Sequence, residues 1–236
     1  MSVIYIDSYR FGVSGPSDPY FSNVSLLLHG DGTNGSTTIV DSSASPKTIT
    51  AFGNAQISTA QSKFGGSSIA FDGNGDYLAI AGPQETAAND FTIELWAYFN
   101  TSNGSYLFDC RPSPSAPSGT YPILYADEAG GFSLKYVFSG FIKLTSNTLT
   151  LNTWHHIAVC RYQGVTRLYV NGVSNGSGYT NNDTAFLIDA TSPIIGSRSS
   201  LDVYQFNGYI DELRITNGVA RYTSNFTPPT APFPNS

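Results

Sequence analysis

Asp211, in the segment FNGYIDELRIT, is the residue of this 236-residue chain that most demands a chemical explanation. If residues 209–216 form a β-strand, alternation puts Tyr209, Asp211, Leu213 and Ile215 on one face and Ile210, Glu212, Arg214 and Thr216 on the other. The carboxylate then shares the apolar side. Burying it there is costly unless a cation, an arginine or backbone N–H donors meet it.

Other side chains offer less. Carboxylate-driven cleavage of a sugar bond needs two acids roughly 5 to 10 Å apart, and Asp211 and Glu212, as neighbours on a regular strand, point to opposite faces. His155 and His156 adjoin Trp154 without an H-E-x-x-H pattern, and His29 stands alone. Asp72, Asn74 and Asp76 in DGNGDY imitate the opening of a calcium loop, but Tyr77 stands where that loop needs Gly and Pro83 where it needs Glu. A lectin-like surface needs aromatic faces for sugar rings and amides or carboxylates for hydroxyls. Tyr121, Tyr179, Asn181, Asn182, Asp202 and Tyr204 are loop residues of those types, so such a surface is permitted although not demanded.

The elements that must position these residues read as strands. Only 12% of residues are charged, 14% are aromatic and Gly is abundant, which suits a turn-rich β protein. Runs such as VSLLLHG, FTIELWAYF, HHIAVCRY and TRLYVNG are separated by Gly, Asn and Pro turns, with one short helical turn expected at GVARYTSN. In FDGNGDYL the Asn-Gly pair predicts a tight hairpin between SSIAF and YLAI. In VTRLYVNG, Leu168 and Val170 face one way and Arg167, Tyr169 and Asn171 the other, as in a half-exposed strand. Trp96 and Trp154 are expected to fill the space between two sheets. Cys110 and Cys160 are too few for a disulfide framework; buried thiols are the favoured reading, with a bridge left open. A net charge of −6 with 11 scattered Lys and Arg gives no basic stripe for nucleic acid, and no run is long enough to span a membrane. The start MSVIYIDSYRFG lacks the features of a secretory signal, which predicts synthesis in the cytoplasm.

Five segments in order, LLLHGDGTNGSTTIVDSS, KFGGSSIAFDGNGDYLAI, FTIELWAYF, WHHIAVCRYQGVTRLYVNG and FNGYIDELRITNGVARYTSNFTPP, together resemble the laminin-G-like, concanavalin A-like superfamily, in particular copies carried by bacteriophage virion proteins. The resemblance runs from Val24 to Pro229. It implies an all-β, two-sheet antiparallel jelly-roll sandwich over residues 21–226, with an extended N-terminal arm at 1–20 and a Pro-rich C-terminal tail at 227–236. Similar domains hold a structural calcium ion with an Asp of an IDE-type segment and an Asp near the first strand; the matching positions are Asp211 and Asp31. Related glucanases carry an E-x-D-x-x-E arrangement, which none of the four glutamates here opens. The resemblance therefore implies a non-enzymatic virion surface protein, a capsid decoration or tail subunit. Its arm would meet other virion proteins, with cell-surface glycans as ligands and homo-oligomerisation left open. A free-standing lectin-like adhesion module is the alternative.

Overall fold

A computed structural model describes residues 17–112, 119–129, 131–189, 192–198 and 204–236. In chain order its strands are β1 (Val24–Leu28), β2 (Thr48–Phe52), β3 (Gln56–Ser58), β4 (Ser68–Asp72), β5 (Tyr77–Ala81), β6 (Glu85–Ala87), β7 (Phe91–Phe99), β8 (Ser105–Asp109) and β9 (Ile123–Asp127). There follow β10 (Ser133–Phe138), β11 (Phe141–Thr148), β12 (Trp154–Tyr162), β13 (Val165–Val170), β14 (Val173–Ser174), β15 (Tyr179–Thr180), β16 (Ala185–Ile188), β17 (Ile194–Ile195) and β18 (Asn207–Asn217). A nine-stranded sheet runs β14-β13-β12-β7-β18-β4-β3, with β1 also on β18 and β15 on β13; a seven-stranded sheet runs β11-β10-β9-β8-β17-β5-β2. The jelly-roll sandwich expected from the sequence is the fold observed. Among the described residues no helix is long and apolar enough to cross a membrane.

Alternation drives the two sheets together. Ile93, Leu95, Ala97 and Phe99 of β7, Ile157 and Val159 of β12 and Leu168 of β13 face Leu78, Phe108, Leu124 and Tyr136 across one continuous core. At the end of β7, Phe99 packs edge-on to Phe132 at 5.2 Å and Phe206 at 5.3 Å. The tryptophans depart from expectation. Trp96 and Trp154 lie on the outer face of the larger sheet, because the odd-numbered positions of β7 and β12 already fill the core. Trp96 packs against His156 at 5.1 Å, and Trp154 against Tyr98 at 5.6 Å.

Strand β18 also breaks the expected alternation. Asp211 pairs with Trp96 and Arg214 with Glu94, so three residues of β18 span two of β7, and Glu212 takes φ +50° to absorb the extra one. Ile210, Leu213 and Ile215 consequently face the core, while Asp211 and Arg214 face outward. The carboxylate does not share the apolar side, yet it is fully buried.

What buries it is the chain folding over its own sheet. The expected helical turn at 218–225 is absent. Thr92 Oγ1 donates to the Val219 carbonyl at 2.9 Å and accepts from Arg221 N at 2.9 Å, so the sheet's outer side chains hold that backbone in place of helical bonds. Tyr222 and Phe226 stack at 3.5 Å over Tyr169, closing the side of β13 expected to be half exposed. Further on, Phe233 is buried beneath the Arg214 guanidinium at 3.7 Å, and Asp18 N donates to the Ser236 carbonyl at 2.6 Å. Residues 17–20 of the expected arm thus pack on their own chain; residues 1–16 lie outside the described residues. Cys110 and Cys160 are buried free thiols, the first in the inter-sheet core and the second on the outer face under Tyr222.

Gly172 makes this wrapping possible. It has φ +79°, and a Cβ there would fall 1.9 Å from the Phe226 carbonyl oxygen. Gly172→Ala is expected to cost about 2–3 kcal/mol, lowering the melting temperature by roughly 5–10 °C for a chain of this size. Thermal unfolding checks it, with loss of near-UV dichroism from the Tyr222–Phe226 stack as the local signature.

The expected hairpin at Asp72–Asp76 is a crossover. Strand β4 belongs to the larger sheet and β5 to the smaller, and they do not pair. Gly73 and Gly75, rather than Asn74, take positive φ. Asp76, buried at 1% exposure, accepts the N–H of Asp72 at 2.7 Å and that of Asn54, so the turn is pinned from inside and need not close a ladder.

Candidate functional site

The two acids predicted as metal ligands meet the same loop, residues 62–66, Asp211 from beneath and Asp31 from its exposed side. Asp211 Oδ2 accepts the N–H groups of Lys63 at 2.7 Å and Phe64 at 3.1 Å. Backbone donors are therefore one answer to its burial. Its Oδ1 is buried without a partner. Burial pushes the carboxyl up to about 7 against those two donors, and the charges of Glu212 and Asp31 add to the rise. Asp31 closes the same loop from the other side: a Cβ on Gly65, at φ +63°, would lie 1.9 Å from Asp31 Oδ1. An orphaned buried carboxylate oxygen that also feels the charge of a second acid suits a hard cation. Among the described residues no cluster of three or more His, Cys, Asp or Glu is placed to hold a metal. A cation here would take these two acids and fill its shell with carbonyls and water.

The predicted sugar contacts scatter. Tyr121 tilts against Phe186 at 5.3 Å and packs on the core. Tyr179 lies under the Lys143 ammonium at 4.8 Å, and its hydroxyl accepts from Asn181 at 3.1 Å. Asn181 and Asn182 line a cavity of about 290 Å³ with Asp90, Arg161 and Gln163. Tyr204, 51% exposed, borders a separate depression with Asn74, Asn103 and Gln205. Asp202 lies outside the described residues.

A site missed in the sequence adjoins Tyr204. At one end of the larger sheet's outer face, Asn100 Nδ2 donates to Asn207 Oδ1 at 2.9 Å, Asn207 Nδ2 to the Asp72 carbonyl at 2.9 Å, and Asn54 Nδ2 to Asp72 Oδ2 at 3.3 Å. This row links the residue after β7, strands β18 and β4, and the β2–β3 turn, and it lines a depression of about 380 Å³ together with Tyr209 and Gln56. Each lateral bond uses one donor or acceptor of an amide that carries two N–H groups and a carbonyl, leaving the rest for a ligand. Asp72 and Asp76 are close, but both oxygens of Asp76 hold backbone N–H groups, and Asp72 Oδ1 accepts from Asn74 N at 2.7 Å. They are turn-forming acids, and the amides beside them present the mixed donors and acceptors that suit hydroxyl groups.

Comparison with known proteins agrees with this architecture. Residues 72–221 match the family model described as the concanavalin A-like lectin/glucanases superfamily. No curated protein matches. Among solved structures, domain 4 of AbnA, a GH43 extracellular arabinanase from Geobacillus stearothermophilus solved in complex with arabinotriose, is 19% identical, with TM-score 0.59 over 84% of this chain and 94% of that one. The receptor binding domain of botulinum neurotoxin D is 17% identical, with TM-score 0.60 over 84% of this chain and 50% of that domain. A mutant of Trypanosoma rangeli sialidase displaying trans-sialidase activity is 13% identical, with TM-score 0.55 over 83% of this chain and 31% of that one. At these identities the likeness is one of fold. With the family model matching residues 72–221, more than half of the chain, the protein belongs to the concanavalin A-like lectin/glucanases superfamily.

Proposed function

We propose that the protein is a non-catalytic glycan-binding domain displayed on a virion, as a capsid decoration or tail-associated subunit. The observation that carries the binding is the laterally bonded row Asn100–Asn207–Asp72–Asn54 beside Tyr209, a prearranged set of hydroxyl readers on an open sheet face. The arabinotriose-bound arabinanase domain and the neurotoxin receptor binding domain, which share the fold, support a binding role. The virion setting rests on the likeness of five sequence segments to particle-borne copies. Attachment to the particle then falls to residues 1–16, because Asp18 is held by Arg214 and Arg221 of its own chain. Asp31 and Asp211 would hold a structural calcium ion, the role favoured by the orphaned Asp211 Oδ1.

A glycan array is the test. The unmodified protein is expected to bind, and Asn207→Ala to lose at least ten-fold in affinity, as befits removal of one to two well-placed hydrogen bonds. Tyr121→Ala and Tyr179→Ala should leave binding intact. A blank array for the unmodified chain would reject the glycan reading, and absence of the chain from purified particles imaged by cryo-electron microscopy would reject the virion setting.

A further inference from the structure

The outer face next to the amide row carries a second row that no hydroxyl-reading role requires. Trp154 pairs with Tyr98, Tyr98 with Tyr209, Tyr209 with Ala70, and Ala70 with Gln56, one residue from each of β12, β7, β18, β4 and β3. In-register pairing across five strands makes this a straight line perpendicular to the strands. The Trp154–Tyr98 and Tyr98–Tyr209 ring centroids are 5.6 and 5.8 Å apart, and all three rings are partly exposed. On the side away from the amide row this face is covered: one row along, His156 and Trp96 lie under Phe226, Phe64 and the Lys63 ammonium. The wrapping thus stops at a line of three aromatics and leaves them open.

Resting on the glycan-binding reading above, we infer that this face binds an unbranched polysaccharide of equatorially linked pyranoses, laid across the strands on the Trp154–Tyr98–Tyr209–Ala70 line. The ring spacing is close to the length of one pyranose residue, so a chain laid along the line passes one ring per strand. Neighbouring rings are inclined at 62° and 78°, so adjacent rings do not offer parallel faces and full stacking falls to alternate positions. Equatorial linkages keep such a chain extended and expose flat C–H faces to aromatic rings, whereas axial linkages curl it off a straight row. The amide row lies two residues along each strand, about 7 Å away, where it meets the hydroxyl edge of the same chain. Four strand spacings cover about 19 Å, room for roughly four sugars. Tyr209 belongs to both the depression and the line, whereas Trp154 is the far end and touches only a long ligand.

Calorimetric titration with cellotriose, cellohexaose, xylohexaose, mannohexaose and maltohexaose tests this. Affinity should rise from the triose to the hexaoses with equatorial linkages and be weakest for maltohexaose. Trp154→Ala should lower hexaose affinity about ten-fold, the value of one aromatic stack, and leave cellotriose unchanged; Trp154→Phe should restore most of the loss. Tyr209→Ala should weaken both. If Trp154→Ala changes nothing while Asn207→Ala abolishes binding, or if maltohexaose binds best, the aromatic line is rejected and the glycan reading survives. If no sugar in the panel or on the array binds, both fail. Concentration-dependent dimerisation lost in Trp154→Ala, without sugar binding, would assign the line to a second copy of the chain and reject the inference.

Discussion

Glu94→Ala is expected to destabilise the domain by about 3–5 kcal/mol and to lower its melting temperature by roughly 10 °C. Glu94 is fully buried on the outer face of β7. Arg214 donates to its Oε1 from Nε at 3.0 Å and Nη2 at 2.7 Å, and the Tyr222 hydroxyl donates to its Oε2 at 2.8 Å. His156 Nε2 lies 3.2 Å from the same Oε2. Burial alone would raise this carboxyl, but Arg214 and His156 hold it down to about 2. The alanine variant leaves the Arg214 guanidinium, already shared with Asp18 at 3.1 Å, short of half its charge partners in a buried site. Because Tyr222 and the segment beyond it are anchored there, limited proteolysis should cut after residue 218 faster than in the unmodified protein. The sign with pH follows from the depressed value: the stabilisation is complete above the ordinary glutamate range and is lost as pH falls from about 4.5 toward 2. Glu94→Gln should lack that acid limb. A loss under 1 kcal/mol with an unchanged cleavage pattern would contradict this role.

Asp211 should titrate in the opposite sense. Its folded value, about 7, lies above the ordinary 3.8, so in a calcium-chelating buffer stability is complete below pH 4, falls between pH 4 and 7, and is level above that. The fall is about 4 kcal/mol at most, three units at 1.36 kcal/mol each. Asp211→Asn should flatten the profile and be the more stable protein at pH 8 without calcium. Millimolar calcium should raise the melting temperature of the unmodified protein at pH 8 and leave that of the variant unmoved. Thermal melts across pH with chelator and with calcium measure both. A flat profile that calcium does not shift would remove the cation from the account.

Much of the fold was legible because alternation and turn chemistry are local. The inward set Ile93, Leu95, Ala97 and Phe99 can be picked out of FTIELWAYF directly, and the same pattern turns Glu94 and Trp96 outward. Period outweighs residue size at Trp96: its neighbours Leu95 and Ala97 take the core positions, and the indole packs on His156 outside. The bulge at Glu212 was not legible, since nothing in YIDELRIT marks a left-handed glutamate; it is imposed by pairing with β7 while Glu212 Oε1 meets His29 at 2.9 Å and its Oε2 accepts from Phe233 N at 2.8 Å. Burial of the outer face was hidden for the same reason, because it depends on residues 219–236 returning over β18 and over distant strands, as when Val219 meets Thr92 and Tyr222 meets Glu94. Asp31 and Asp211 were placed as partners through family resemblance, and the loop at 62–66 that joins them is visible only in three dimensions. The amide and aromatic rows needed register: Tyr98, Asn100, Asn207 and Tyr209 each read as ordinary strand-edge residues until β7, β18 and β4 are set side by side.

The chain has two tryptophans, one at the far end of the aromatic line and one buried beneath Lys63, so their indole N–H signals report the open and the covered parts of the same face separately. Titrating ¹⁵N-labelled protein with cellohexaose, xylohexaose or mannohexaose should move the Trp154 indole signal progressively and leave that of Trp96 in place. Shifts confined to Asn181, Asn182 and Tyr179, or a Trp154 signal unmoved at saturating sugar, would contradict a binding face on the larger sheet.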